Sequence, residues 1–128
     1  MFSQFRSQRK KTGGLYNEIR KKKKRDLGSD FVPIHLKEKE KVKSVRMTGG
    51  DLKLRMLSAS KANVLDPASG KSKVVKIVTV KENPANPHFV RMNVITRGAV
   101  VETELGLAKI TSRPGQHGVV NAVLVGKK

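Results

Sequence analysis

The sequence predicts an all-β protein: a small closed or nearly closed β-barrel of short antiparallel strands, with a long, basic, extended N-terminal arm. Three observations predict it. Fifteen of the 16 valines lie after residue 41, in short runs between turn residues, which is the spacing of an all-β domain. No segment of a dozen residues has a helical period, and a closed barrel leaves few exposed strand edges. Half of the net charge of +18 lies in residues 1–25. A two-sheet sandwich is the alternative body.

The arm comprises residues 1–41. Five consecutive cations at residues 21–25 repel one another along any regular element and have few apolar neighbours to offset the entropy of ordering. We therefore expect an arm that is largely disordered in isolation and that threads between phosphates, where counterion release supplies affinity. A solvated tail or a nuclear address is the alternative. The arm residues assigned to RNA are Arg6, Arg9, Lys10, Lys11, Arg20, Lys21, Lys22, Lys23, Lys24 and Arg25.

The body, residues 42–128, divides into eight runs of strand length. Turn residues separate them: a Gly-Gly pair at 49 and 50, Asp66-Pro67 with Gly70, and a Pro-Gly pair at 114 and 115 that predicts a type II turn. The predicted strands are 42–48, 52–58, 62–65, 73–81, 89–95, 99–104, 107–111 and 119–125.

Side-chain alternation assigns the strand faces. Residues 52, 54 and 56 are apolar and are expected to face the core, while Lys53 and Arg55 face phosphate. Both alternating sets of 73–81 are largely apolar, which predicts burial on both faces, and strand 119–125 is expected to be central. The cations assigned to RNA on the first two strands are Lys43, Arg46, Lys53 and Arg55.

Two polar loops are candidate RNA contacts. Two Asn-Pro steps within residues 82–89 restrict the backbone strongly, and such a rigid loop can hold amides, an imidazole and a guanidinium for RNA. The alternative for this loop is a long hairpin whose asparagines cap their own backbone. Residues 111–118 form the second candidate loop, and its alternative is a plain surface turn. The residues assigned to RNA here are Asn83, Asn86, His88, Arg91, Arg97, Arg113, Gln116 and His117.

The composition excludes several function classes. Cysteine is absent, which excludes disulfides, thiolate zinc sites and thiol catalysis. The three histidines lack metal-ligand spacing, and phosphate-loop, dinucleotide and nucleophile-elbow motifs are missing. We therefore expect no enzyme, metal or cofactor. A nuclease using His88 or His117 with Glu102 has no support from spacing. Without an apolar run of span length or a signal peptide, a soluble, unsecreted protein is expected.

The segment Glu-Asn-Pro-Ala-Asn-Pro-His-Phe-Val-Arg at 82–91 resembles the small-subunit ribosomal protein eight of archaea and eukaryotes, a family unrelated to the bacterial protein of that number. Segments 7–14, 62–67, 93–99, 102–106 and 111–124 agree with it. The short chain is similar to the archaeal form, since eukaryotic members carry a long insertion. Leu15-Tyr16-Asn17-Glu18 and Asp51 depart from the family pattern.

The resemblance implies a structural component of the small ribosomal subunit. It would bind ribosomal RNA and neighbouring ribosomal proteins in the cytoplasm, without catalysis, a membrane or a small-molecule substrate. A ribosome assembly factor of the same domain family is the alternative. An RNA-cleaving enzyme and a sequence-neutral DNA-compacting protein are the other hypotheses.

Overall fold

A computed structural model describes residues 7–17, 21, 23, 28, 30–47 and 49–127. The described residues fall into two compact units, one ending at Phe31 and the other beginning at Val32. The second unit contains eight strands and two single helical turns. The strands are β1 (His35–Leu36), β2 (Lys41–Arg46), β3 (Leu52–Ala59), β4 (Lys61–Leu65), β5 (Ser72–Glu82), β6 (Val100–Thr103), β7 (Gly106–Ile110) and β8 (Asn121–Lys127). The helical turns are α1 (His88–Arg91) and α2 (Pro114–His117).

The strands β4 to β8 form a closed barrel in the order β4-β5-β6-β7-β8. Sequential neighbours are antiparallel, and the barrel closes through parallel pairing of β4 with β8, where Asn63 pairs with Asn121. The predicted all-β barrel is therefore confirmed, as is the central position of β8, which lies between β4 and β7.

The remaining strands form a three-stranded sheet in the order β1-β3-β2. The β2 and β3 strands are antiparallel, and β1 runs parallel to β3, with His35 opposite Ser58. Strand β1 was not predicted, although its apolar Leu36 and the preceding Ile34 alternate around His35 as an edge strand would.

The barrel core is built from small and β-branched side chains that alternate inward along each strand. Val64, Val101, Ala108 and Ile110 are at most 1% exposed. Side chains of this size fill a narrow five-stranded barrel without aromatic residues. Ile34 and Met56 extend this buried cluster into the three-stranded sheet.

Two predictions about strand faces are wrong. Strand β5 is not buried on both faces, because a closed barrel has one interior; Val74 and Val78 point outward and are 69% and 57% exposed. The apolar face of β3 is buried at Met56 but not at Leu52 and Leu54, which are 72% and 54% exposed. That end of β3 pairs with β2 outside the barrel, where the described elements supply no second layer over Leu52.

Two predictions about local structure are also wrong. Residues 89–95 are not a strand: α1 occupies the first half, and Asn93 follows with a left-handed φ of 49°. Residues 113–116 do not form a type II turn, since α2 begins at Pro114 and the left-handed position falls on Gly118, with φ 75°. In both places a proline lies at the start of a helical turn: Pro87 precedes α1 and Pro114 opens α2, because the fixed φ of proline suits this position.

Candidate RNA-binding surfaces

Three cations share one face of the β2–β3 ribbon, and we call Lys43, Lys53 and Arg55 the ribbon face. Lys43 lies directly opposite Arg55 in the antiparallel register, and Lys53 lies opposite Val45. Like charges directly opposite each other destabilise a sheet, so this arrangement favours a bound anion. Arg46 is exposed but lies on the other face of β2. The structure therefore brings three of the four predicted ribbon cations together.

Arg55 adds a second reason to expect an anion on the ribbon face. Its side chain is half-buried, and its Nε has no hydrogen-bond partner among the residues that the structure describes. A buried donor without a partner costs about 1–3 kcal/mol, and more when the group is charged. A phosphate oxygen that accepts from this guanidinium would remove the cost.

The Asn-Pro loop is held rigid by the side chain of Asn83, which is 7% exposed. Its Nδ2 donates to the carbonyl oxygen of Val94 at 3.1 Å, and its Oδ1 accepts from the Ala85 amide and the Thr96 hydroxyl. Asn86 accepts a hydrogen bond from the backbone amide of His88 through Oδ1. Both asparagines thus form hydrogen bonds within the loop region, as the alternative interpretation of a self-capped loop states.

Asn93 anchors the far end of the same loop. Its Oδ1 accepts from the Thr79 hydroxyl at 3.2 Å and from the Val80 amide at 3.3 Å. Because asparagine tolerates a left-handed backbone better than most residues, these bonds hold the turn at low cost. The result is a fixed α1 that presents His88 and Arg91 to solvent.

The second polar loop is shaped by α2. The backbone amide of Arg113 donates to Nδ1 of His117 at 3.3 Å, and the Ser112 hydroxyl donates to the Val119 carbonyl oxygen at 3.0 Å. Arg113 and His117 remain exposed, and Gln116 is half-buried. This loop is therefore preorganised, with one guanidinium and one imidazole on its surface.

The tertiary structure brings the two loops to one place, beside β1. The carbonyl oxygen of Ile34 accepts from the Ile95 amide at 2.8 Å, and a Cβ on Gly115 would lie 3.5 Å from the Ile34 Cδ1. Nδ1 of His35 lies 3.3 Å from the carbonyl oxygen of Met92. Sequence reasoning treated the loops separately and did not identify this junction.

The first unit contains a small structured turn within the predicted arm. Arg9 and Leu15 form an antiparallel bridge, and the Arg9 Nη1 donates to the Gly13 carbonyl oxygen at 2.8 Å. The Lys10 ammonium lies 5.6 Å from the centre of the Tyr16 ring, within range of a cation–π contact. The predicted contacts Lys10, Lys11, Lys21 and Lys23 are exposed. The others, Arg6, Arg20, Lys22, Lys24 and Arg25, lie outside the described residues.

The described residues provide no support for a metal centre or a nuclease site. Within the described ranges, no three His, Asp or Glu side chains are grouped closely enough to hold a metal ion. Glu102 is paired with the Lys81 ammonium at 3.1 Å. In the same part of the chain, no helix has the length and apolar character to cross a membrane.

Arg97, the remaining residue assigned to RNA, is exposed in the loop before β6.

The closed barrel, the ribbon face and a sequence pI of about 10.7 define a basic β-barrel protein of the kind whose ligand is a polyanion. Comparison with known proteins is more specific. The chain belongs to the family described as Ribosomal protein S8e, whose model matches residues 3–125.

Several archaeal relatives are similar over nearly their full length. The small ribosomal subunit protein eS8 of Methanococcus aeolicus is 48% identical over 122 residues, which is 95% of each chain. The protein of that name from Methanospirillum hungatei is 50% identical over 122 residues, 95% of this chain and 97% of its own. The one from Methanosphaerula palustris is 49% identical over 125 residues, 98% of this chain and 99% of its own. The resemblance noted in the sequence, and with it a structural ribosomal component, is confirmed.

Proposed function

We propose that this chain is a small-subunit ribosomal protein that binds ribosomal RNA through its basic arm, the ribbon face and the loop junction at β1. The single observation that carries this proposal is the direct opposition of Lys43 and Arg55, because two cations in register are unfavourable in the free protein and favourable against phosphate. Neighbouring ribosomal proteins and a cytoplasmic, ribosome-bound location belong to the same proposal.

The proposed mechanism is electrostatic association followed by placement. The net charge of +18 attracts RNA and releases counterions from each phosphate that is neutralised. The two preorganised loops then set orientation, because they lose little entropy on binding. The protein would contribute a fixed surface for folded RNA and no chemical step.

The test is the affinity of the full-length chain for small-subunit ribosomal RNA as a function of salt. Replacing Lys43 and Arg55 by Gln removes two phosphate contacts, so the log–log slope should become less steep by about 1.5. Lys81→Gln is the matched control, because its ammonium is paired with Glu102 away from the ribbon face. A shallow wild-type dependence, or an equal loss in the control, contradicts the proposal.

The alternative of an assembly factor makes a different prediction in a cell lysate. A constitutive component remains with mature small subunits, whereas a factor is confined to precursor particles. A second assay addresses catalysis: RNA incubated with the pure protein should stay intact, and specific cleavage would revive the nuclease hypothesis.

A further inference from the structure

A pocket of about 370 Å³ lies on the outer wall of the barrel, on residues that the sequence analysis did not assign to RNA. We call it the outer-wall pocket. Its size is within the range of small-ligand sites, which combine apolar walls with a few placed polar groups. Strands β4, β5 and β8 form it together with Thr111, and its lining includes Asn63, Leu65, Val74, Asn121 and Val123.

The strand registers explain how these side chains meet. Asn63 is paired with Val74 on one side and with Asn121 on the other. Leu65, two residues further along β4, is paired with Val123. Paired and alternate residues share one face of a sheet, so the two amides lie side by side with apolar side chains next to them.

The hydrogen bond between the two amides leaves one oxygen atom and one nitrogen atom of the pair unused. Nδ2 of Asn63 donates to Oδ1 of Asn121 at 3.1 Å. This bond leaves Oδ1 of Asn63 and Nδ2 of Asn121 without a hydrogen-bond partner among the residues described. The acceptor and the donor lie on paired residues, and a nucleobase edge offers the complementary groups, such as the N6 donor and N7 acceptor of adenine.

The apolar neighbours suit the flat part of the same ligand. Val74 is 69% exposed and Leu65 is 37% exposed, so both offer carbon surface to a partner. Unpaired bases in RNA loops expose their edges and faces together. A base inserted with its edge toward the amides would cover these side chains and displace water from them.

The charges around the pocket favour a nucleotide over an uncharged partner. Lys61 lies two residues before Asn63 on β4, on the same outer face, and is directly opposite Lys76 of β5. On the β8 side of the pocket, Lys109 of β7 is paired with Val123. Two nearby carboxylates accept hydrogen bonds from backbone amides: Glu40 from the amide of Lys61, and Asp66 from the amide of Ala68. A second directly opposed pair of cations again favours phosphate.

We propose that the outer-wall pocket receives one unpaired nucleobase of ribosomal RNA, with Asn63 and Asn121 binding its edge and the surrounding lysines its flanking phosphates. This proposal rests on the proposed function for its ligand. It adds a base-recognition site on the barrel wall, separate in sequence from the ribbon face and from the Asn-Pro loop, with Thr111 of the second polar loop at its border.

The experiment compares full-length variants in binding to full-length small-subunit ribosomal RNA. The double variant Asn63→Ala with Asn121→Ala should bind roughly tenfold more weakly, with an unchanged salt slope, because no phosphate contact is lost. Reagents that modify base N1, N3 and N7 positions should reveal one nucleotide that the wild type protects and the double variant leaves reactive.

A matched pair of valine variants tests the apolar wall. Val74→Ala should weaken binding, while Val78→Ala, on the same outward face of β5 but outside the lining, should not. Thermal unfolding of each variant checks the fold, which exposed outer-face substitutions should preserve.

Three results would overturn the pocket proposal while leaving the proposed function intact. In the first, the double variant binds RNA and protects the nucleotide as well as the wild type does. In the second, the double variant binds more weakly and its salt slope also changes. In the third, the double variant protects the RNA normally, but reconstituted subunits that contain it lose a neighbouring protein. Absence of salt-dependent RNA binding by the wild type would instead contradict the proposed function itself.

Discussion

The buried amide of Asn83 donates to the backbone carbonyl oxygen of Val94 at 3.1 Å, joining two ends of a loop that lie 11 positions apart in the sequence. The same side chain accepts from the Thr96 hydroxyl at 2.9 Å. One asparagine therefore holds the Asn-Pro loop closed from inside, and the exposed His88 and Arg91 depend on it for their position.

Asn83→Ala should destabilise the protein by about 1–3 kcal/mol, because the Val94 carbonyl and the Thr96 hydroxyl would lose their partner in a buried site. Denaturant unfolding measures the change. Asn86→Ala is the control, since Asn86 is half-buried and accepts one local bond. Equal costs for the two variants would show that burial of Asn83 is not what stabilises the loop.

Gly118→Ala should be more destabilising than a left-handed φ alone explains. A Cβ at Gly118 would lie 2.9 Å from the Leu54 Cβ, whereas Gly70 has a similar φ of +66° and nothing within 4 Å. We expect a cost of about 1–2 kcal/mol for Gly70→Ala and an additional cost of about 1–3 kcal/mol for Gly118→Ala from overpacking. Chemical denaturation of both variants compares them, and matching costs would rule out the contact with Leu54.

Lys43→Glu should stabilise the free protein while weakening its binding to RNA. The substitution places a carboxylate directly opposite Arg55, so a repulsive pair becomes attractive, with a gain of about 0.2–1 kcal/mol. High salt should remove most of the gain. Lys53→Glu is the comparison, because it faces Val45 and gains no directly opposed cation. A fall in stability for Lys43→Glu at low salt would contradict repulsion across the ribbon.

Neutralising four arm cations, Lys10, Lys11, Lys21 and Lys23, by replacement with Gln should make the salt slope of RNA binding shallower by about 3. The thermal midpoint of the body should be unaffected if the arm serves binding alone. Titration of small-subunit ribosomal RNA at several salt concentrations gives the slope, and an unchanged slope would remove the arm from the interface.

The sequence alone determined the class of fold and predicted a polyanionic ligand. Alternating valines between turn residues predict a barrel because strand period and turn chemistry are local properties. The charge surplus predicts a polyanion because net charge needs no coordinates. The family was also recognisable from contiguous residues such as 82–91.

Only the tertiary structure decided which side chains meet. The opposition of Lys43 and Arg55, the closing pair Asn63 and Asn121, and the junction of both polar loops at Ile34 depend on register and closure. These are set by the balance of many distant contacts, so local patterns do not encode them separately. For the same reason Leu52 and Val74 have apolar side chains in strands and are nonetheless exposed.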